Sequence, residues 1–290
     1  MSTELLGNVV TWTVSSSGLP LGTIRQALED AGLDPEIAKE LNARSTFSRA
    51  ARHLKENRTI DRVNNASDDT LTFQFTKKTD RGSSIEFDME CLVHLNLETG
   101  VITCRDSSIE SEARLKFTEV KDLRTASDIT RLVQKLFREN ADLFPINPKH
   151  GGAYFVPDQH STFTERVQDF IFRVGGQLHM FPVPKGTEQG NQSVMNSVAT
   201  GLESLLVEMD KAIEDWTSDT RPSTVQRAVD KFQEMKIKAD TYASYLGARQ
   251  DEIAEKLKKS VSALVTRSND LGLAKDNESS TSKAGAPADS

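Results

Sequence analysis

The sequence predicts an α+β fold. An N-terminal domain of helices and antiparallel sheet comes first, then a small βαβ region, then a long antiparallel helical hairpin of coiled-coil character. Three observations lead there. Leu71, Phe73 and Phe75, and then Ile85, Phe87 and Met89, alternate with polar residues, and a period of two with one polar face describes half-buried antiparallel strands. Ala153–Val156, a helical face and Leu178–Val183 follow one another in the order of a βαβ unit. Finally, Val198, Leu202, Leu205, Met209, Ala212 and Trp216 recur at alternating steps of four and three, as do Val225, Ala228, Phe232, Met235, Ala239, Tyr242 and Leu246. Such a seam stays on one helix face and is buried against a partner.

The elements follow in order. Val9–Val14 reads as a strand ended by Ser15-Ser16-Ser17-Gly18. Leu21–Ala31 is a helix starting after Pro20, Asp34 caps a second over Pro35–Leu41, and Ser45 or Thr46 caps a third to about Glu56. The first alternating strand turns at Thr79-Asp80-Arg81-Gly82; the second runs through Val93, turns at Glu98-Thr99-Gly100 and returns through Val101 to Cys104, a three-stranded meander. Residues 106–121 fit strand or helix equally. Ser127 caps a helix with Ile129, Leu132, Val133, Leu136 and Phe137 on one face. Phe163, Val167, Phe170, Ile171 and Val174 form another helical face, closed by Gly175-Gly176, and the strands on either side of it are expected to be parallel. After a linker at 186–191, helices are expected over 192–216 and 222–268, about 37 and 70 Å long at 1.5 Å per residue. The distal half of the second would outrun its mate and leave Ile253, Leu257, Val261 and Leu264 uncovered. The resulting domains are 1–125, with a winged-helix-like part at 20–104, then 126–186 and 190–270. Residues 271–290, with no large apolar side chain after Leu273, are expected to be disordered.

Composition narrows the function classes. A formal charge of −7 argues against a globally basic nucleic-acid coat but leaves room for a local patch. Met1 to Val10 lacks a basic region followed by an apolar one, so no secretory signal is expected, and no apolar run approaches the roughly 20 residues of a membrane span. Two cysteines, Cys91 and Cys104, fit a reducing cytoplasm better than a disulfide scaffold.

Several groups carry side chains capable of chemistry. Arg44, Arg49, Arg52, Lys55, Arg58 and Arg62 stand against Glu56 and Asp61 in the stretch 44–62. On a helix at 46–56 followed by a hairpin carrying Lys77, Lys78 and Arg81, they suit phosphate contacts in a winged-helix arrangement; an ordinary solvated face explains them as well. His150, His160 and His179, with Asp158 and Tyr154, lack compact zinc-ligand spacing. Glu86, Asp88 and Glu90 on one strand face resemble a nuclease cluster, but alternation alone accounts for them. Gly175-Gly176 sits at a helix end, where a left-handed cap explains it, and no phosphate-loop or catalytic Ser or Cys signature is found. No metal or cofactor is expected.

The run Gly151-Gly152-Ala153-Tyr154-Phe155-Val156-Pro157, a helix, Phe181-Pro182-Val183-Pro184 and the helical hairpin resemble uncharacterised bacterial and phage proteins loosely associated with MoxR-type AAA+ ATPases. The likeness covers about 150–265. It implies an accessory protein of a bacterial or phage system, with an AAA+ ATPase as one partner. The expected role is a non-catalytic assembly or adaptor protein that binds itself or a partner through Ile253, Leu257, Val261 and Leu264. A DNA-binding regulator acting through Arg44, Arg49, Arg52, Lys55, Arg58, Lys77 and Lys78 is the alternative, and an enzyme of unknown class the second alternative.

Overall fold

The computed structural model describes residues 4–15, 18–56, 58–64, 69–82, 84–147 and 151–272. His150 and residues 273–290 of the expected disordered tail lie outside the described residues. The N-terminal half supplies β1 (Leu5–Thr13), β2 (Leu19–Pro20), α1 (Leu21–Asp30), α2 (Ala43–His53), β3 (Arg58–Val63), β4 (Thr70–Asp80), β5 (Ile85–Asn96), β6 (Ile102–Cys104), α3 (Ser107–Asp122), β7 (Leu123–Arg124) and α4 (Ala126–Asn140). Then come β8 (Phe144–Pro145), β9 (Tyr154–Pro157), α5 (Ser161–Arg173), β10 (Gln177–Pro184), α6 (Glu188–Glu214), α7 (Pro222–Thr241), α8 (Ala243–Leu246) and α9 (Gln250–Asp270). The fold is mixed, with antiparallel sheet pairings and a large helical share. Two compact units form: one from Thr13–Leu136 with Arg166–Gln177, the other from the chain up to Trp12, Phe137–Glu165 and the chain from Leu178 on.

In the first unit a sheet of order β3-β4-β5-β6 packs α2 and α3 against one face. Alternation decides which face. Leu71, Phe73 and Phe75 of β4 and Cys91, Val93 and Leu95 of β5 meet Phe47, Ala51 and Leu54 of α2 and Ile109 and Ala113 of α3. β3 joins as a fourth strand beside the expected meander. The ambiguous stretch after Cys104 is α3, begun by Asp106, whose carboxylate accepts from the N–H groups of Ser108 (2.9 Å) and Ile109 (3.2 Å). α2 is capped earlier than expected, by Asn42, which accepts from the Ser45 N–H at 2.8 Å. The helix expected at Pro35–Leu41 is only a 3₁₀ turn, Pro35–Ile37. The three-helix run of a winged helix is therefore not formed.

In the second unit the sheet order is β10-β1-β9-β8. β1 lies between β9 and β10, so the strands of the expected βαβ unit do not pair with each other. β1 and β9 are antiparallel, with Gly7 opposite Pro157 and Val10 opposite Tyr154. A Cβ at Gly7 would collide with the Val156 carbonyl, so only glycine permits that approach.

The expected second long helix is broken, and this is the main correction. It divides into α7, α8, a 3₁₀ turn at Gly247–Arg249 and α9. Gly247 holds φ +50° and ψ −124°, a conformation that L side chains rarely adopt. Arg249 and Lys256 then reach Glu203 at 2.7 and 2.5 Å, Ser260 reaches Asp210 at 3.0 Å, and Arg267 reaches the Trp216 carbonyl at 2.6 Å. Numbers rise together along both helices, so α9 runs parallel to α6, and α7 must run back between their ends. Three long helices, with the short α8 at the reversal, thus stand where two were expected. Ile253 (0 % exposed), Leu257 (8 %) and Leu264 (7 %) are buried in one core with Val198, Leu202, Phe232 and Met235. The expectation that this row lies uncovered does not hold; of the four only Val261 is exposed, at 39 %. Each such aliphatic side chain contributes roughly 1.5–3 kcal/mol when fully buried.

Candidate functional site

The most exposed apolar row on a strand lies at the far end of the β4–β5 hairpin. The core pairing runs from Leu71↔Leu95 to Phe75↔Cys91. A β-bulge follows: Thr76 pairs with Met89, leaving Glu90 as the extra residue. Beyond it Lys77↔Asp88, Lys78↔Phe87, Thr79↔Glu86 and Asp80↔Ile85 continue the ladder to the turn. There the Gly82 N–H donates to Asp80 Oδ1 at 2.9 Å and Gly82 takes φ +82°. Among the described residues β3 pairs no further than Arg58↔Lys77 and β6 covers only Val93–Leu95, so the outer part of the hairpin is a two-stranded ribbon there. Every residue from Ile85 to Glu90 is exposed. Directly opposed residues share a face, so Ile85 (49 % exposed), Phe87 (57 %) and Met89 (59 %) form one row with Thr76, Lys78 and Asp80. Glu86 and Asp88 lie on the other face with Lys77 and Thr79.

The seven residues expected to touch nucleic acid divide. Arg49 donates both Nη groups to Asp128 at 2.6 Å, a bidentate half-buried pair. Burial would raise the Asp128 carboxyl, but the Arg49 guanidinium and the Thr125 bonds outweigh it and bring it down to about 2. Arg58 grips the bulged Glu90 at 2.7 and 3.0 Å, with Glu112 3.7 Å away. These two are held inside the unit by carboxylates. Arg44, Arg52, Lys55, Lys77 and Lys78 are exposed. A cleft of about 570 Å³ opens beside Arg58, lined also by His53, Glu56, Glu112 and Lys116; its charges are of both signs. The Arg58–Glu90 clasp and the bulge had no sign in the sequence, since they join residues that only the folded sheet brings together.

A family profile matches residues 5–270. The chain belongs to DUF6744, a family of unknown function. No curated protein and no solved structure is significantly similar to it.

The second unit of this DUF6744 chain holds one polar cluster that sequence spacing did not reveal. Asp142 accepts from the Tyr242 hydroxyl and from Lys238 Nζ, both at 2.5 Å. Gln159 donates to the same Tyr242 oxygen at 3.1 Å, and His160 Nε2 lies 3.0 Å from it. The same His160 Nε2 lies 3.2 Å from Gln159 Nε2, so its tautomer decides which of the two it bonds. Burial, and then the Asp142 bond, push the phenol far above its ordinary range, while burial lowers the imidazole. Tyr242 is 1 % exposed, which suits a brace at the end of α7 rather than a group that meets substrate. His179 and Asp158 stand on the surface elsewhere. Among the described residues no group of three or more His, Cys, Asp or Glu is placed to hold a metal ion, and no helix is long and apolar enough to cross a membrane. Cys91 and Cys104 are free thiols; burial, then the contact with Cys104, raises Cys91 to about 12.

Proposed function

We propose that this chain is a non-catalytic assembly or adaptor protein whose partner contact is the β4–β5 ribbon. The supporting observation is the row Ile85, Phe87 and Met89, about half exposed each, on a ribbon that extends past its own core. A row of this kind costs solvation in the free chain and is relieved when a partner covers it. This moves the interface away from Ile253, Leu257, Val261 and Leu264, which mostly serve the internal core. The Tyr242 cluster offers a weaker case for an enzyme, because its central group is buried and its phenol stays protonated. The resemblance over about 150–265 adds MoxR-type AAA+ ATPases as one partner class to test.

The test is photocrosslinking in cells that naturally carry the gene. A benzophenone-bearing residue replaces Phe87 in one variant and the exposed Val207 of α6 in another. A discrete protein adduct at position 87 and none at 207 is the expected result. No adduct at 87 sinks the reading. Adducts to nucleic acid in place of protein would transfer the ribbon to the DNA-binding alternative.

A further inference from the structure

Resting on that reading, the free edge of β5 identifies the chemistry of the partner. β5 is paired with β4 from Ile85 to Asn96 apart from the bulged Glu90, but on its other side β6 reaches only Val93–Leu95. From Ile85 to Leu92 that edge meets no strand among the described residues. An open edge presents alternate N–H and C=O groups, the template on which extended segments add as a new strand. Side chains on the added strand lie beside those of β5 on the same two faces. One face offers Ile85, Phe87 and Met89; the other offers Glu86 and Asp88, and Glu90 stands at the bulge.

Charge decides between occupants. A second copy pairing antiparallel through this edge would set Asp88 against Asp88 and Glu86 against Glu90, and directly opposed like charges are unfavourable. The existing cations offset these acids unequally. Arg81 reaches Glu86 at 2.8 Å, but both side chains are largely exposed, and Arg58 turns Glu90 toward the base of the ribbon. Asp88 faces Lys77 in register without an ion pair between them at 4 Å or less. We infer that this edge receives an extended segment of a partner protein whose side chains alternate between apolar and basic, adding it as a further strand beside β5. The apolar set covers the Phe87 row, the basic set meets Asp88 and its neighbours, and the same acids repel a second copy.

The experiment uses the full chain and short synthetic peptides. One alternates valine with lysine, one alternates valine with glutamate, and one has the first composition in scrambled order. Binding is read by fluorescence anisotropy and by hydrogen exchange of the amides in 85–92. The alternating basic peptide should bind and protect that segment. Asp88→Lys should weaken it by about tenfold, as an attractive cross-strand pair becomes repulsive. N-methylation of every second peptide amide should abolish binding in one register and spare it in the other. Equal binding of the scrambled or acidic peptide, harmless N-methylation in both registers, or protection of 85–92 that grows with concentration of the chain alone each overturns the inference. If position 87 crosslinks to a protein in cells while the peptides leave 85–92 unprotected, the adaptor reading stands and strand addition fails. If no adduct forms at position 87, the adaptor reading itself fails.

Discussion

α9 and β5 each carry a row of apolar side chains at regular spacing, and the two rows have opposite fates. Ile253, Leu257 and Leu264 lie under α6 and α7, at most 8 % exposed. Ile85, Phe87 and Met89 are 49–59 % exposed. The residues are similar in apolar character; what differs is whether the same chain supplies a cover. For α9 the cover comes from the reversal at Gly247, which lays the helix along α6. For β5 the bulge at Glu90 sets the row on the face of Thr76, opposite the face that α2 and α3 pack against, and there it stays exposed. An internal core and a docking surface therefore differ in which face the chain itself covers, more than in composition.

Aspartate scanning should separate the rows most sharply. Ile253→Asp places a charge at a fully buried site, and the lost packing together with desolvation should cost at least about 4 kcal/mol and unfold the second unit. Phe87→Asp, on an exposed ribbon, should stay within about 0.5 kcal/mol. Urea melts of both variants measure the contrast, and equal losses would show that the ribbon is covered in the free protein. A smaller effect is expected at the reversal itself. Gly247→Ala forces a side chain into a conformation normally left to glycine and should cost about 1–3 kcal/mol. Its added Cβ meets Met195 Sδ at only ordinary contact distance, 3.4 Å, so the penalty is one of backbone conformation. Thermal melts compare it with Gly186→Ala, also at positive φ but with open space around it, which separates the local penalty from loss of the helix reversal.

The smallest effect concerns the same contrast between occupied and free groups on α2. Arg52 is exposed, whereas Arg49 is bound to Asp128. A depressed carboxyl contributes stability that is fully present above its unfolded value, about 3.9, and is lost as pH falls through its folded value. For Asp128 that window runs from about 4 down to about 2. Wild-type stability should drop across it, and Asp128→Asn should remove that part of the slope. Arg52→Ala should leave the slope unchanged. Acid titrations followed by circular dichroism decide; an unchanged slope in Asp128→Asn would mean that the pair is not what titrates.

Much of the strand pattern was legible because alternation at 71–75 and 85–95 is local. The same alternation could not tell which end of β5 is covered, since the bulge at Glu90 moves the apolar row from the helix-covered face to the open one. β3 itself escaped notice because Arg58, Asp61 and Arg62 interrupt its apolar pattern, as suits an edge strand. The helix reversal was hidden for a different reason. The seam passes from Leu246 to Ile253 in a step of seven, so its phase continues across the break and only Gly247 marks it. Arg49 and Asp128 are 79 residues apart, and a basic helix face gives no sign of a distant carboxylate. The distal apolar row and part of the basic patch therefore look like free surfaces in the sequence, although the fold uses most of them internally.

The position of β1 between β9 and β10 has a consequence for synthesis. Gly7 pairs with Pro157, so β1 leaves the ribosome well before its partner and must wait for it roughly 8 to 30 s at ordinary elongation rates. The sheet at 58–104 and its helices are complete well before then. During that interval β1 is an unpaired strand with Val9 and Val10 available to other chains, which makes it the segment that a chaperone would shield. Slowing translation downstream of that sheet should lower the yield of folded protein by lengthening the wait, whereas fusing a solubilising partner ahead of Leu5 should restore it.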